Sequence, residues 1–215
     1  PSPGTKPNSR WATMTAPKPY YQDDHVTIYH GDWREVMPHI EADVLVTDPP
    51  YGDGWRQGGY ANKRFTPRPH SGIANDVGTS ERDDLLKCFH GPALVFGLLH
   101  KLQPPTAAQC LVWHKPSTSG LLGAKTWRRD AEGIFVLGTW PKSPATRSSI
   151  LRTHGCHMDY RHGGHPHAKP VGLMCELIEA CPPGVILDPF MGSGSTLRAA
   201  KDLGRKAIGI ELEEK

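Results

Sequence analysis

Seven short apolar runs, at positions 26–29, 43–47, 93–96, 110–113, 134–137, 185–187 and 207–210, recur along the chain, and none is broken by an internal charge. Strands covered on both faces of a sheet read this way, because neither face has to meet water. Helical stretches lie between several of them. Thr79-Ser80-Glu81-Arg82-Asp83 has the pattern of a capped start for a helix reaching Cys88. Residues 171–181 carry apolar side chains at spacings of three and four, and Pro182-Pro183-Gly184 stops them. A further helix over 195–203 is closed by Gly204. Strands alternating with helices predict a layered α/β fold with a mainly parallel sheet.

The 215 residues suit one domain, over 20–215, with 1–19 as a disordered lead rich in Pro, Ser, Thr and Lys. No apolar run approaches the ~20 residues that span a bilayer, and no basic start with an apolar core marks a secretory signal. The expectation is a cytoplasmic protein with no membrane partner. Five scattered cysteines, with no Cys-x-x-Cys pair, suit reduced thiols. His154, Cys156, His157, His162, His165 and His167 crowd together, but their spacing matches no common zinc site, so no metal is expected.

A formal charge of +3 argues only weakly for a nucleic-acid partner. The distribution says more. Lys63, Arg64 and Arg68 form one basic cluster, Lys125, Arg128 and Arg129 a second, and Lys142, Arg147 and Arg152 a third. Such clusters can neutralise phosphates, and they also occur as ordinary solvated surface. Residues 52–78, rich in Gly, Pro and charge, and the polar, His-rich stretch from 141 resist assignment to any element. Long loops inside a compact domain are usually functional or mobile.

Asp48-Pro49-Pro50-Tyr51 follows the run Val44-Leu45-Val46-Thr47 directly. That places a carboxylate at the carboxyl end of a strand, where open α/β sheets bind ligands. Pro49 and Pro50 stiffen the turn and lack N–H groups, so backbone carbonyls are left facing outward. An exocyclic amino group on a nucleobase is a poor nucleophile, because its lone pair is delocalised into the ring. Two acceptors aimed at its two hydrogens pull the nitrogen toward tetrahedral geometry and localise the pair. Asp48 offers one acceptor and the Pro49 carbonyl the other, and Tyr51 offers a flat face to a base taken out of the stack. A rigid strand-ending turn without chemistry is the bland alternative.

Val185-Ile186-Leu187-Asp188-Pro189-Phe190-Met191-Gly192-Ser193-Gly194-Ser195-Thr196 reads as strand, tight glycine turn and helix start. The helix start presents N–H groups suited to a carboxylate. It is not a phosphate-binding loop, since Ser195 rather than Lys follows Gly194, nor a dinucleotide fingerprint, since Leu197 stands where a third glycine is needed. The next run ends at Glu211, an acid placed to accept from ribose hydroxyls.

Taken in order, these blocks resemble the amino-methylating DNA methyltransferases, in the group whose catalytic motif precedes the cofactor motif. Asp48-Pro49-Pro50-Tyr51 is similar to the catalytic tetrapeptide and Asp188-Pro189-Phe190-Met191-Gly192-Ser193-Gly194 to the cofactor loop. His165-Pro166-His167-Ala168-Lys169-Pro170 resembles a third block, His30-Gly31-Asp32 a fourth, and Val112-Trp113-His114-Lys115-Pro116 a later, less specific one. The resemblance implies a Rossmann-like, seven-stranded, mostly parallel methyltransferase sheet in permuted order, with helices on both faces.

It also implies a function. S-adenosylmethionine would be the methyl donor, held by Asp188, Pro189, Phe190, Gly192, Ser193, Gly194, Thr196, Glu211, Lys169 and Asp32. Asp48, Pro49, Pro50 and Tyr51 would act on a flipped base in double-stranded DNA. Adenine N6 is favoured over cytosine N4, because the family tetrapeptide more often begins with Asp for adenine and with Ser for cytosine. Lys63, Arg64, Arg68, Arg147 and Arg152 would meet DNA, with 52–78 and 141–164 as recognition loops for a short or degenerate target. A homodimer and an unlinked restriction nuclease are further partners such enzymes can have, in a bacterial or phage-infected cell. Competing readings are an RNA or protein amide methyltransferase, which more often carries Asn in the first position, and a catalytically inactive DNA-binding module. Trp113 and Trp140 read as packing residues.

Overall fold

A computed structural model describes residues 17–52, 78–115, 127–128, 130–141, 147–152 and 168–213. Within them the seven apolar runs are all strands. They are β2 (Val26–His30), β3 (Val44–Thr47), β4 (Ala93–Gly97), β5 (Gln109–His114), β6 (Ala131–Leu137), β8 (Ile186–Asp188) and β9 (Ala207–Glu211). Two-residue strands flank them at the two edges, β1 (Tyr21–Gln22) and β7 (Ile150–Leu151), giving one sheet of order β1-β2-β9-β8-β3-β4-β6-β5-β7. Two residues are too short to leave a periodic signal, which is why the apolar pattern yields seven strands and the sheet has nine among the described residues.

The block β2-β9-β8-β3-β4 is parallel throughout, and β6 alone within the seven runs opposite to its neighbours β4 and β5. The sheet is therefore mostly parallel, as expected. β3 and β8 lie side by side at its centre, with Val44 opposite Ile186 and Leu45 opposite Leu187. From β3 the chain passes to β4 on one side, and from β8 to β9 on the other. Such a reversal opens a crevice at the carboxyl ends of the two strands.

Strand pleating sends alternate side chains to opposite faces, and each face is covered by helix. Val44, Val46, Leu94, Phe96, Ile134 and Ile186 pack with α3 (Val171–Ala180) and α4 (Ser195–Asp202). Leu45, Val95, Phe135 and Leu187 pack with α1 (Trp33–Val36) and α2 (Ser80–Cys88). All four residues of β3 are fully buried. At Gly209 of β9, an added Cβ would lie 2.6 Å from Leu197 of α4 and 2.7 Å from Met191 Sδ, so the helix and the glycine turn both rest on bare backbone there.

α2, α3 and α4 fall where the sequence puts them, with one local difference, while α1, a single turn, has no counterpart in the sequence reading. Thr79 does not cap α2 by accepting a backbone N–H; its hydroxyl donates to Asp83 Oδ2 at 2.9 Å. The Thr79 backbone, at φ −98° and ψ 9°, is not in the extended conformation that aims an N-cap oxygen at the first-turn N–H groups. Among the described residues no helix is long and apolar enough to cross a membrane, and no group of His, Cys, Asp or Glu is arranged to hold a metal ion. The histidine-rich stretch, residues 1–16 and the basic residues Lys63, Arg64, Arg68, Lys125, Arg129 and Lys142 lie outside the described residues.

Candidate active site

Every parallel strand ends at one edge of the sheet, and the sequence blocks line up along it. Asp32 follows β2, Glu211 ends β9, the turn from Asp188 to Gly194 follows β8, and Asp48 follows β3. The side chain that binds the two central tips together is Asp188. It is 2% exposed, and both its oxygens are engaged. Oδ1 accepts from the Thr47 hydroxyl at 2.7 Å and from the Phe190 N–H at 3.2 Å, and Oδ2 accepts from the Thr196 hydroxyl at 2.5 Å. Burial pushes this carboxyl up to about 6, against the pull of those three donors. Asp188 thus ties β3, the glycine turn and α4 to one another.

The glycine turn is held open by backbone geometry. Gly192 and Gly194 have φ of +50° and +79°, a region that costs an L side chain about 1–2 kcal/mol. Nothing lies within 4 Å of where a Gly194 Cβ would stand. Gly194 heads α4, and the N–H of Gly192 donates to Glu211 Oε2 at 2.8 Å. A second tether runs from the Met191 N–H to the Ile210 carbonyl at 3.1 Å. Phe190 meets the Trp33 indole edge to face, with ring centroids 6.3 Å apart. This brings the turn against the segment that begins at Asp32. Asp32 itself caps α1 by accepting from the Arg34 N–H at 2.9 Å, and pairs with the Arg34 guanidinium at 3.3 Å. Pro189 is buried beneath the turn, and Ser193 is exposed on it.

Across the crevice, Asp48 has both oxygens occupied. Tyr51 Oη donates to Oδ1, and Lys169 Nζ lies 2.6 Å from Oδ2. Pro49 is buried, and Tyr51 packs against the core with its hydroxyl turned inward. Lys169, two residues before α3, therefore reaches the tetrapeptide. Its ammonium also sits 5.0 Å from the centre of the Phe96 ring and 5.5 Å from that of Tyr51.

Two further members of this cluster were not singled out from sequence as site residues. Glu132, on β6, has a side chain 8% exposed; it lies 3.2 Å from Lys169 Nζ, and its Oε2 is 3.4 Å from Tyr51 Oη. Lys115, just past β5, pairs with the other Glu132 oxygen. Burial alone would raise the Glu132 carboxyl, but Lys169 and Lys115 outweigh it and hold the group below the usual carboxylate range. Burial likewise works against the Lys169 charge, and Asp48 and Glu132 overcome it, leaving the ammonium above the ordinary lysine value. The Tyr51 phenol is driven well above its ordinary value by burial and by the two carboxylates. The available signal was a single acid inside an apolar stretch, Ala131-Glu132-Gly133-Ile134. A buried charge needs a partner, and a partner distant in sequence leaves no local trace.

The two described arginines assigned to DNA separate. Arg152 follows β7, which runs parallel to β5, and so stands at the edge that carries Lys115. Arg147 precedes β7 and lies 3.9 Å from Glu179, near the far end of α3. Trp113 is buried, and Trp140 donates its indole N–H to the Leu137 carbonyl at 2.8 Å while packing on the core, as residues with packing roles do.

Known proteins resemble this chain in sequence and in fold. The N6/N4 methyltransferase family model, described as DNA methylase, matches residues 110–215. YubD of Escherichia coli (strain K12), which bears the name of a methylase, is 53% identical over 196 residues, covering 86% of this chain and 83% of that protein. The type II methyltransferase M.ScaI of Streptomyces caespitosus is 26% identical over 261 residues, covering 92% of this chain and 80% of that protein. Among solved structures, the cytosine-N4-specific PvuII DNA methyltransferase superposes with a TM-score of 0.65 at 18% identity, covering 92% of this chain and 85% of that one. A complex of M1.HpyAVI with SAM gives 0.55 at 22% identity, covering 88% and 94%. At these identities the two structures speak for the fold, a methyltransferase α/β sheet. The close identity to YubD over most of both chains, with the family model and the ordered blocks at one sheet edge, leads to one conclusion: the chain belongs to the amino-methylating, adenine-N6 or cytosine-N4, DNA methylase family.

Proposed function

We propose that this protein transfers a methyl group from S-adenosylmethionine to the exocyclic N6 amino group of an adenine flipped out of double-stranded DNA. The observation that carries the reading is the Thr47–Asp188 tie, which sets the Asp48 turn and the glycine turn side by side where the strand order reverses. The residues present fit the cofactor. The positive-φ glycines leave open space above the turn, and Glu211 offers a carboxylate at the neighbouring strand tip. Gly192, Ser193 and Gly194 would receive the amino-acid end, Glu211 the ribose hydroxyls and Asp32 the adenine edge, with Phe190 and Pro189 shaping the floor. Asp188 and Thr196 serve by holding that floor in place. When bound, the cofactor supplies an electrophilic methyl group.

The chain's own part is to make the amino nitrogen a nucleophile. Asp48 and the Pro49 carbonyl accept its two hydrogens, and Pro50 keeps the turn rigid. Tyr51 closes on the base, and its hydroxyl bond to Asp48 orients the carboxylate beforehand. Adenine is favoured by Asp48 in the first position of the tetrapeptide. Arg152, at the same sheet edge, is suited to a phosphate, and target recognition falls to 52–78 and 141–164, most of which lie outside the described residues.

A methyl-transfer assay with labelled S-adenosylmethionine on DNA, RNA and protein tests the substrate class, and mass spectrometry of the digested DNA tests the base. N6-methyladenine is the expected product. N4-methylcytosine would correct the base, and label in RNA or protein alone would overturn the DNA reading.

A further inference from the structure

We infer that Glu132 is a positioning residue for methyl transfer: it shares Lys169 and Tyr51 with Asp48, and it keeps the cluster neutral where the amino nitrogen turns cationic. The inference rests on the amino-methyltransferase reading above.

A carboxylate this buried is costly unless paired, and a well-packed apolar substitute would hold this part of the sheet at least as well. Fold stability is therefore a weak account of the quartet of Lys115, Glu132, Lys169 and Asp48. Its geometry does point to a use. Both Asp48 oxygens are engaged, one by the Tyr51 hydroxyl and one by the Lys169 ammonium. A target amino group has to accept a place on that carboxylate. Glu132 stands 3.2 Å from Lys169 and 3.4 Å from Tyr51 Oη, ready to take a larger share of both as the base arrives.

Charge gives the second half of the argument. Lys115 and Lys169 balance Asp48 and Glu132. In the transfer, the methyl carbon–sulfur bond breaks with its electron pair left on sulfur, and the amino lone pair forms the new nitrogen–carbon bond. The nitrogen carries the positive charge until it releases a proton to water. The positive charge leaves sulfur as it arrives on nitrogen, so only the difference in distance counts: an excess cation nearer the nitrogen opposes the shift, and with an effective dielectric near 20 the penalty is roughly 3- to 10-fold in rate.

The test uses the full chain and measures kcat and KM on DNA beside S-adenosylmethionine affinity. Glu132→Gln is expected to lower kcat by roughly 3- to 10-fold while KM and cofactor affinity stay within about twofold. Adding Lys115→Met to it restores neutrality and is expected to bring kcat back to within about twofold of the unaltered protein. Glu132→Asp, one methylene shorter with the charge kept, is expected to retain about half of kcat or more. Wild-type turnover by E132Q, a deeper loss on adding K115M, or a folded E132D protein as slow as E132Q overturns the inference. No transfer by the unaltered chain overturns the underlying reading, and the inference with it.

Discussion

Thr47, the last residue of β3, donates its hydroxyl to Asp188, the last residue of β8, across 141 positions of sequence and 2.7 Å of space. The bond joins the residue just before the Asp48 turn to the residue that begins the glycine turn. A buried side-chain contact thereby joins the two halves of the site, beside the β3–β8 pairing. Thr47→Val keeps the shape and removes the donor. It is expected to cost about 1–3 kcal/mol, the usual loss on stripping a donor from a buried acceptor, read as a lower urea midpoint with an unchanged m-value. A midpoint equal to that of the unaltered protein would show that the tie is not needed.

Asp48 has the most direct part in the proposed chemistry. Asp48→Ala should abolish detectable methyl transfer, a loss beyond about a thousandfold, while S-adenosylmethionine still binds, because the glycine turn hangs on Asp188 and Glu211 instead. Labelled-methyl transfer and calorimetric titration with the cofactor check the two halves separately. Retained turnover would remove Asp48 from the mechanism.

The buried Asp188 carboxyl makes a prediction in pH. Its value in the fold, about 6, lies above the unfolded value of about 3.9. The folded chain therefore holds a proton that the unfolded chain releases, and this group favours folding more as pH falls from 6 to 4. Its contribution is lost as pH rises through about 6. Asp188→Asn removes the titration while keeping the size. The stability of the unaltered protein relative to D188N should thus rise as the medium is taken from pH 7 toward pH 4, measured by urea unfolding at a series of pH values. A difference that stays flat over that range would contradict the raised value.

Gly194 heads α4 with φ of +79°, and its Cβ would meet no atom. The cost of Gly194→Ala is then backbone strain alone, about 1–2 kcal/mol. If the turn also seats the cofactor, the rise in melting temperature on adding S-adenosylmethionine should be smaller for G194A than for the unaltered chain. An undiminished rise would place the cofactor elsewhere.

Much of this protein is written in short stretches of its sequence. The seven strands, the ends of α3 and α4, and the two turns that follow β3 and β8 are all local features. Each follows from periodicity, from proline or glycine at a stop, or from a carboxylate after an apolar run, and each of those acts within a few residues. What stands next to what was decided only by the tertiary fold. Hydrogen bonding across the sheet made β3 and β8 neighbours. The pairing of β5 with β6 set Trp113 opposite Glu132 and brought Lys115 to the same carboxylate. The start of α3 carried Lys169 to Asp48. The physical reason is that a buried charge is satisfied through space. Its partners, from 17 to 121 positions away for Glu132 and Lys169, leave no pattern along the chain.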